Sequence, residues 1–425
     1  MILRLRQAML VLFACALGLV GAIPACNYST SYFRLDENGK MIKADGPIVP
    51  GEDDGAATAG ATTSSDTGGG PILPGTAGTS GGTAGGSTTG GVGGTPVYSL
   101  LIHTKNGVSK IDNLYLAHFS GGALTETPKQ VTAFSDDGYS IIFPSLSPDA
   151  SKALYAALWY DSVSKSTKGE YRLLSDLGGT PSETAWPVET GFSSAWRANG
   201  EEAVYVPGGC GVMLKRAKTD GSNVATEANT ATGTYDKWVY LQTAASPVTD
   251  TANPGYDLLV FSMFSADTAP TQGFELFAKK WGDADPAHFS KLTSTPMTIE
   301  FYPSVSPDAK YVAFASQDTT AGDDPTTGDK PAKIAVCDLT YSAGTVQCLN
   351  TRTLDTLAPE AVSLSPCWAW DGSKIFFVSK DATHKKDDIY AVDFTGGAFG
   401  TPANVTNTAD DEEMEVSCSS APMSK

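Results

Sequence analysis

The chain has 425 residues, with 29 Lys and Arg against 47 Asp and Glu, a formal net charge of −18. That sign disfavours nucleic acid and anionic head groups and favours cationic or basic partners. The stretch from residue 98 onward is long enough to bury a sizeable core.

Residues 1–25 hold Arg4 and Arg6, an apolar run from Ala8 to Ile23, and the small residue Ala25. A basic start, a short apolar core and a small residue at the cut are the layout of a secretory signal. The apolar run, about 16 residues, is short for a membrane span. Ile23-Pro24-Ala25-Cys26 resembles the bacterial lipoprotein box, with Pro24 unusual in that motif. The resemblance implies a lipid on Cys26; the alternative is an ordinary cleaved signal that leaves Cys26 a free thiol. Cys15 is a second lipidation candidate, behind a shorter apolar core. Asn27 is not the Asp that such lipoproteins often use for inner-membrane retention, so the resemblance implies an outer-membrane anchor.

Residues 26–97 read as a linker. From Gly51 to Gly94 the chain is mostly Gly, Thr, Ser and Ala, and such a stretch buries too little apolar surface to offset its ordering entropy. As a flexible coil, about 70 residues span on the order of 45 Å, which suits a tether between a membrane and a folded domain.

Residues 98–425 read as that domain, and it is repetitive. Phe143-Pro144-Ser145-Leu146-Ser147-Pro148-Asp149 precedes the apolar run Ala153 to Tyr160. The pattern returns as Tyr302-Pro303-Ser304-Val305-Ser306-Pro307-Asp308 before Tyr311-Val312-Ala313-Phe314. Weaker copies are Ala195-Trp196-Arg197-Ala198-Asn199-Gly200 and Trp368-Ala369-Trp370-Asp371-Gly372, each followed by an apolar run. A unit recurring about every 50–60 residues marks a repeat architecture. The Pro-Asp steps are turns, because proline presets φ and Asp hydrogen-bonds its own backbone. The next position favours Gly, which Gly200 and Gly372 supply and Ala150 and Ala309 do not, so these last two turns are expected to be strained or of another type. The flanking apolar runs are short and rich in Val, Phe, Tyr and Leu, which favours strands.

A third run follows in each unit, as in Asn113 to Ala117, Glu275 to Ala278 and Asp388 to Val392. A short fourth run closes it, as in Gln130 to Thr132, Lys291 to Thr293 and Asn404 to Thr406. Four antiparallel strands per repeat make a propeller blade. Between 199 and 308 one blade needs a disguised turn, which Ser246-Pro247 and Gly255 supply. Ser99 to Ile102 reads as a second strand without a first, and Glu415 to Cys418 as a first strand without a second. Pairing them shuts the ring and removes its exposed sheet edges. The fold expected is all-β, a six-bladed propeller with four antiparallel strands per blade, closed by the C-terminal strand.

The two Pro-Ser-x-Ser-Pro-Asp segments and the run Asp388-Ile389-Tyr390-Ala391-Val392-Asp393 resemble the repeat of TolB-like (WD40-like, PD40) six-bladed propellers, over about residues 98–422. The matched positions build turns and strands, so the resemblance speaks for fold more than for function. The TolB family carries a further N-terminal domain where this chain has its linker, which argues against the same role in the envelope machinery.

Export permits disulfides. Cys337 and Cys348 lie on successive strands around the turn at Ser342-Ala343-Gly344, and Cys367 and Cys418 on first strands that closure makes neighbours. Both pairs are disulfide candidates, with buried apolar thiols as the alternative; Cys210 is left over. Zinc is not expected, because no C-x-x-C or Cys/His cluster exists. His103, His118, His288 and His384 are isolated in sequence, and on strands a satisfied structural imidazole is the expectation. No G-x-S-x-G elbow is present, so an appended hydrolase is unsupported. Trp196, Trp368 and Trp370 lie beside the turns, where packing between blades explains them more simply than carbohydrate binding.

In a propeller the loops between blades gather at one mouth of the channel. Here they carry Asp136, Asp137, Glu300, Glu360, Asp410, Asp411, Glu412 and Glu413. The loop from Asp318 to Lys330 projects from the same face. Converging carboxylates would focus negative potential and draw Ca2+ or a basic peptide; the plainer account is solvated loops of an acidic protein. The reading is a non-enzymatic binding or scaffolding module of the bacterial cell envelope. It is a monomer tethered by its lipid, with an envelope protein or basic peptide as partner and no nucleic acid. The alternatives are a propeller enzyme of lyase or glycan-hydrolase type acting at the mouth, or a surface spacer.

Overall fold

The computed structural model describes residues 32–35, 41–44, 95–135, 138–161, 163, 166–207, 213–230, 238–245, 258–265, 274–295, 298–318, 331–342, 345–357, 361–379, 387–408 and 411–421. The signal segment, most of the linker, Cys26, Asp136, Asp137, Cys210, Glu360, His384, Asp410 and nearly all of the 318–330 loop lie outside them. Within the linker stretch, Tyr32–Leu35 pairs antiparallel with Met41–Ala44.

From Tyr98 on, the chain forms six blades. Each is an antiparallel sheet whose first strand lies at the ring axis. Blade two runs through Tyr139–Leu146, Lys152–Asp161, Ser166–Ser175 and Ser182–Ala185. Blade three uses Gly191–Trp196, Glu202–Pro207, Met213–Lys218 and Ala225–Asn229. Blade four uses Trp238–Ala245, Leu258–Ser265, Glu275–Lys280 and Ser290–Lys291. The turn assigned to Ser246, Pro247 and Gly255 falls between described strands, which pair on either side of it. Blade five uses Thr298–Val305, Tyr311–Asp318, Ala332–Ser342 and Thr345–Thr353. Blade six uses Leu364–Trp368, Lys374–Ser379 and Asp388–Thr395, with an outer strand in two pieces, Ala398–Phe399 and Ala403–Asn404.

Blade one is assembled from both ends of the domain. Tyr98–Lys105 and Asp112–Ser120 supply its middle, and Glu412–Cys418 its inner strand, with Val416 opposite Ile102 and Cys418 opposite Leu100. The ring is therefore closed by the C-terminal strand. Around the seam, Phe119 and Phe376 meet edge to face at 5.1 Å. Leu100, Val378, Ile389 and Val416 fill the same cluster, all buried. Side chains of this size stabilise by about 1.5–3 kcal/mol each when fully buried. Trp370 Nε1 donates to Val97 O at 3.0 Å and the Tyr98 hydroxyl to Asp371 at 2.9 Å, so the blade-six turn clasps the start of blade one. Cys367 and Cys418 are bonded across the seam, with Cα atoms 5.6 Å apart. Cys337 and Cys348 are bonded within blade five, Cα atoms 5.4 Å apart.

The turns explain the repeated Ser-Pro-Asp. Ser147 Oγ donates to Asp149 and accepts from Lys152 N, at 2.7 and 2.9 Å. Ser306, Asp308 and Tyr311 repeat the arrangement. Ala150 and Ala309 adopt the same left-handed backbone as Gly200 and Gly372, at φ 60°, 54°, 67° and 72°. The two alanines are thus the strained form of one turn rather than a second type. A left-handed non-glycine costs roughly 1–2 kcal/mol, while each alanine buries its methyl in an inter-blade core cluster, offsetting about 0.8 kcal/mol.

Blades three and four share an ion triad that the sequence pattern did not reveal. Glu227 meets Lys279 Nζ at 2.8 Å and Arg216 Nη1 at 2.7 Å, and accepts from Gly282 N at 2.8 Å; the Glu227 and Lys279 side chains are fully enclosed. Desolvation lowers the Lys279 pKa despite the carboxylate. Removing one member of a buried pair leaves the other charge uncompensated, at a cost of about 3–5 kcal/mol. Glu227→Gln is expected to lose stability of that order in urea unfolding; a loss near zero would show that the triad is solvated.

Candidate functional site

All six inner strands carry a bulge midway along their length. In three blades the bulge puts the residue before proline or its equivalent into the left-handed region: Phe143 at φ 49°, Tyr302 at 55° and Ser365 at 51°. Such strain persists only where the surrounding structure enforces it. Counting back from each turn aligns the strands in tiers. Phe143, Ser193, Tyr302, Ser365 and Glu415 share one tier. Pro144, Ser194, Thr243, Pro303, Pro366 and Val416 form the next one toward the turns. All of these line a cavity of about 170 Å³ on the axis, which continues past the Cys367–Cys418 bond to the rim at Pro148, Pro307 and Ser420.

The floor of this funnel is a plug. The rings of Phe143 and Tyr302, from opposite blades, have centroids 5.8 Å apart. Glu415 Oε2 accepts from Phe143 N at 3.0 Å and lies 3.3 Å from His103 Nδ1. The Tyr302 hydroxyl donates to Glu415 Oε1 at 3.4 Å. Burial and the Glu415 charge push that hydroxyl well above its ordinary pKa, so it stays a donor. Behind Glu415, His103 Nε2 stands 4.0 Å from Asp112, and both residues are buried. Glu415 thus joins the inner strand of blade one to blades two and five across the bore. Trp196 Nε1 donates to Ser145 O at 2.9 Å and Trp368 Nε1 to Ser304 O at 3.1 Å, each tying an inner strand to the preceding blade. The tryptophans beside the turns therefore serve packing between blades.

The rim expected from sequence lies at the other end of the inner strands, and its described members are not free carboxylates. Glu300 and Glu413 occupy equivalent positions inside the inner strands of blades five and one and are 3% and 2% exposed. Glu300 Oε1 accepts from the Thr295 hydroxyl at 2.9 Å. The Thr408 hydroxyl lies 3.1 Å from both Asp388 Oδ1 and Glu413 Oε2. Burial, with Asp388 nearby, pushes the Glu413 carboxyl well above its ordinary pKa. Asp411 accepts from Asn106 Nδ2 at 3.0 Å and Gly107 N at 3.2 Å; half-buried Glu412 pairs in register with Lys105. Asp136, Asp137, Glu360 and Asp410 lie outside the described residues. Among the described residues no group of three or more His, Cys, Asp or Glu is arranged to hold a metal ion. His118 contacts Glu126 at 2.6 Å, and His288 contacts Asp283 at 2.8 Å and Asp285 at 4.0 Å.

The sequence reading passed over Glu415 and its contact with His103. The signal was present: aligning the C-terminal strand with the Pro-Ser-x-Ser-Pro-Asp repeats puts Glu415 where the other blades have Phe143 and Tyr302.

No protein-family model matches the sequence, and no curated protein matches it. Among solved structures, TolB from Acinetobacter baumannii is similar over 76% of this chain and 66% of its own, at 15% identity and TM-score 0.48. A chain of a nidogen/laminin complex is similar over 76% and 99%, at 9% identity and TM-score 0.48. An oligogalacturonate lyase in complex with manganese is similar over 73% and 74%, at 15% identity and TM-score 0.42. The propeller architecture itself rests on the strand pairing described above.

Desolvation raises the Glu300 pKa from 4.5 to about 7, with Thr293 and Thr295 opposing and Glu275 assisting. A folded value above the unfolded one gives stability that is complete below pH 4.5 and is lost as pH rises through about 7. The loss amounts to about 3 kcal/mol. Glu300→Gln is therefore expected to match the parent chain in urea unfolding at pH 4 and to exceed it by about 2–3 kcal/mol at pH 8. An equal difference at both pH values would remove Glu300 as the titrating group.

Proposed function

We propose that this chain is an exported, non-enzymatic binding module of the bacterial cell envelope, and that its funnel docks a protein partner. The observation that carries the reading is the lining of the funnel. Every blade contributes prolines, small hydroxyl residues, backbone or a packed tryptophan to it, and the one carboxylate among its described lining residues, Glu415, is tied into the plug. Apolar walls with a few placed polar groups suit recognition. The signal layout and the box ending at Cys26 support export and an outer-membrane lipid anchor, and the Gly-rich linker supports a tether that holds the propeller off the membrane. The acidic inter-blade loops at the far mouth remain a second surface proposed to draw a basic peptide or Ca2+.

A photoreactive amino acid at Ser420, on the funnel rim, is expected to join one envelope protein in intact cells. The same probe at Val224, which is 51% exposed on an outer turn, is expected to join none. No adduct at Ser420, or the same adducts at both positions, would reject the funnel as the docking site. Cys26→Ala should move the chain from the membrane fraction to the soluble one; retention in the membrane would reject the anchor.

A further inference from the structure

We propose that the seams between blades four and five and between blades six and one are held by protons: Glu300 and Glu413 keep their carboxyl protons in the closed ring, and losing them loosens the far mouth at those two seams. The device lies at the end of the ring opposite the funnel and stands apart from the docking reading.

Both seams depart from the repeat. Two residues before the plug tier, blades two, five, six and one carry Ile141, Glu300, Ser363 and Glu413. Three of these are stitched to the preceding blade by their amides. Glu300 N donates to Phe274 O at 3.1 Å, Ser363 N to Ala332 O at 2.8 Å and Glu413 N to Asp387 O at 3.0 Å. The residues after those acceptors are Glu275, Lys333 and Asp388, and blade one has Asn113 at the equivalent place. Acid is therefore set against acid at two of these four seams. The other two have Asn113 with Ile141 and Lys333 with Ser363.

Within each pair the two acids are served unequally. Asp388 accepts from Asn404 Nδ2 at 2.8 Å, Thr408 N at 2.8 Å and the Thr406 hydroxyl at 3.3 Å, and such donors favour the charged form. Glu275 is paired with Lys291. Glu413 has the Thr408 hydroxyl, 3.1 Å from its Oε2, which it shares with Asp388. Glu300 Oε1 has the Thr295 hydroxyl, while Oε2 is buried without a hydrogen bond. A buried carboxylate with neither counter-charge nor enough donors is far costlier than the neutral acid.

The surrounding charges do not supply the balance. Glu300 faces Glu275 and Lys291 of blade four, with Ser316 opposite it in its own blade. Glu413 faces Asp387 and Asp388 of blade six and has Asp411, Glu412 and Glu415 along its own strand. Opposite it stands Thr104, flanked by His103 and Lys105. Burial, assisted by the facing acid, raises both carboxyls, Glu300 to about 7 and Glu413 well above 4.5. The seams are thus tightest in acid. Between pH 4.5 and about 7 an opened seam at Glu300 holds one proton fewer than a closed one, so opening gains about tenfold per pH unit.

Hydrogen exchange of the full chain tests this, read by mass spectrometry on peptic fragments and referenced to unstructured peptide at each pH. From pH 5 to pH 7 the protection of Thr298–Val305 should fall about a hundredfold. That of Glu412–Cys418 should fall too as pH rises to 9, while Tyr139–Leu146 and Leu364–Trp368 keep theirs. Glu300→Gln, whose amide stays neutral, should abolish the fall in Thr298–Val305 and leave that in Glu412–Cys418; Glu413→Gln should do the converse. An equal fall in all four strands is global opening and overturns the proposal. No fall in an acid-lined strand, or a fall that persists in its own glutamine variant, overturns the device at that seam. If a variant fails to fold, the comparison of the four strands in the parent chain decides alone.

Discussion

The strand Glu412–Cys418 completes a sheet whose other strands begin at Tyr98, and the remaining architecture is hung on that pairing. Without it blade one would lack its inner strand, and Tyr98–Lys105 would present an open row of backbone donors and acceptors. Blade six would lose the surface against which Phe376, Val378 and Ile389 are buried. The seam is accordingly reinforced several times over: by the Cys367–Cys418 bond, the Trp370 and Tyr98 hydrogen bonds, and the Ser365 hydroxyl, 3.2 Å from Val416 O and 3.3 Å from Val416 N. A ring of sheets has no intrinsic edge, so its stability concentrates where the chain ends meet.

Closure also creates the site. Six copies of one bulged strand converge on the axis, and the bulge exposes equivalent positions to the bore. Where three blades place proline, blades three and four place Ser194 and Thr243; where two blades place the aromatic rings of Phe143 and Tyr302, the closing strand places Glu415. Departures from the repeat therefore make a symmetric scaffold into an asymmetric cavity. The strand that shuts the ring is also the one that brings the carboxylate to the funnel floor.

The repeat pattern made most of the fold legible. Pro-Asp turns between apolar runs gave the strand register, and the unpaired runs at Ser99 and Glu415 implied the closure. The same register made Cys337–Cys348 and Cys367–Cys418 disulfide candidates, with buried thiols as the alternative, and both pairs are bonded in the structure. What escaped depends on which side of a strand faces a neighbouring blade. Lys279 and Glu227 look like surface charges in sequence, yet both are enclosed between blades. Glu300 and Glu413 read as loop carboxylates, but each sits within an inner strand beside an acid of the preceding blade, Glu275 or Asp388. At the equivalent position blade two has Ile141, so neither polarity nor spacing distinguished a rim acid from a buried one. His103 read as a satisfied structural residue; its partner, Glu415, lies on the closing strand, which only the three-dimensional register reveals.

The account stands on the two chain ends sharing one sheet, and the covalent bond across that seam gives the most direct access to it. Peptide mapping of the full oxidised chain without reduction should recover a cross-linked pair joining the peptide that contains Cys367 to the one that contains Cys418. A second pair should join Cys337 to Cys348. Recovery of Cys418 as a free thiol, or bonded to any cysteine other than Cys367, would contradict the closed ring and the funnel that depends on it.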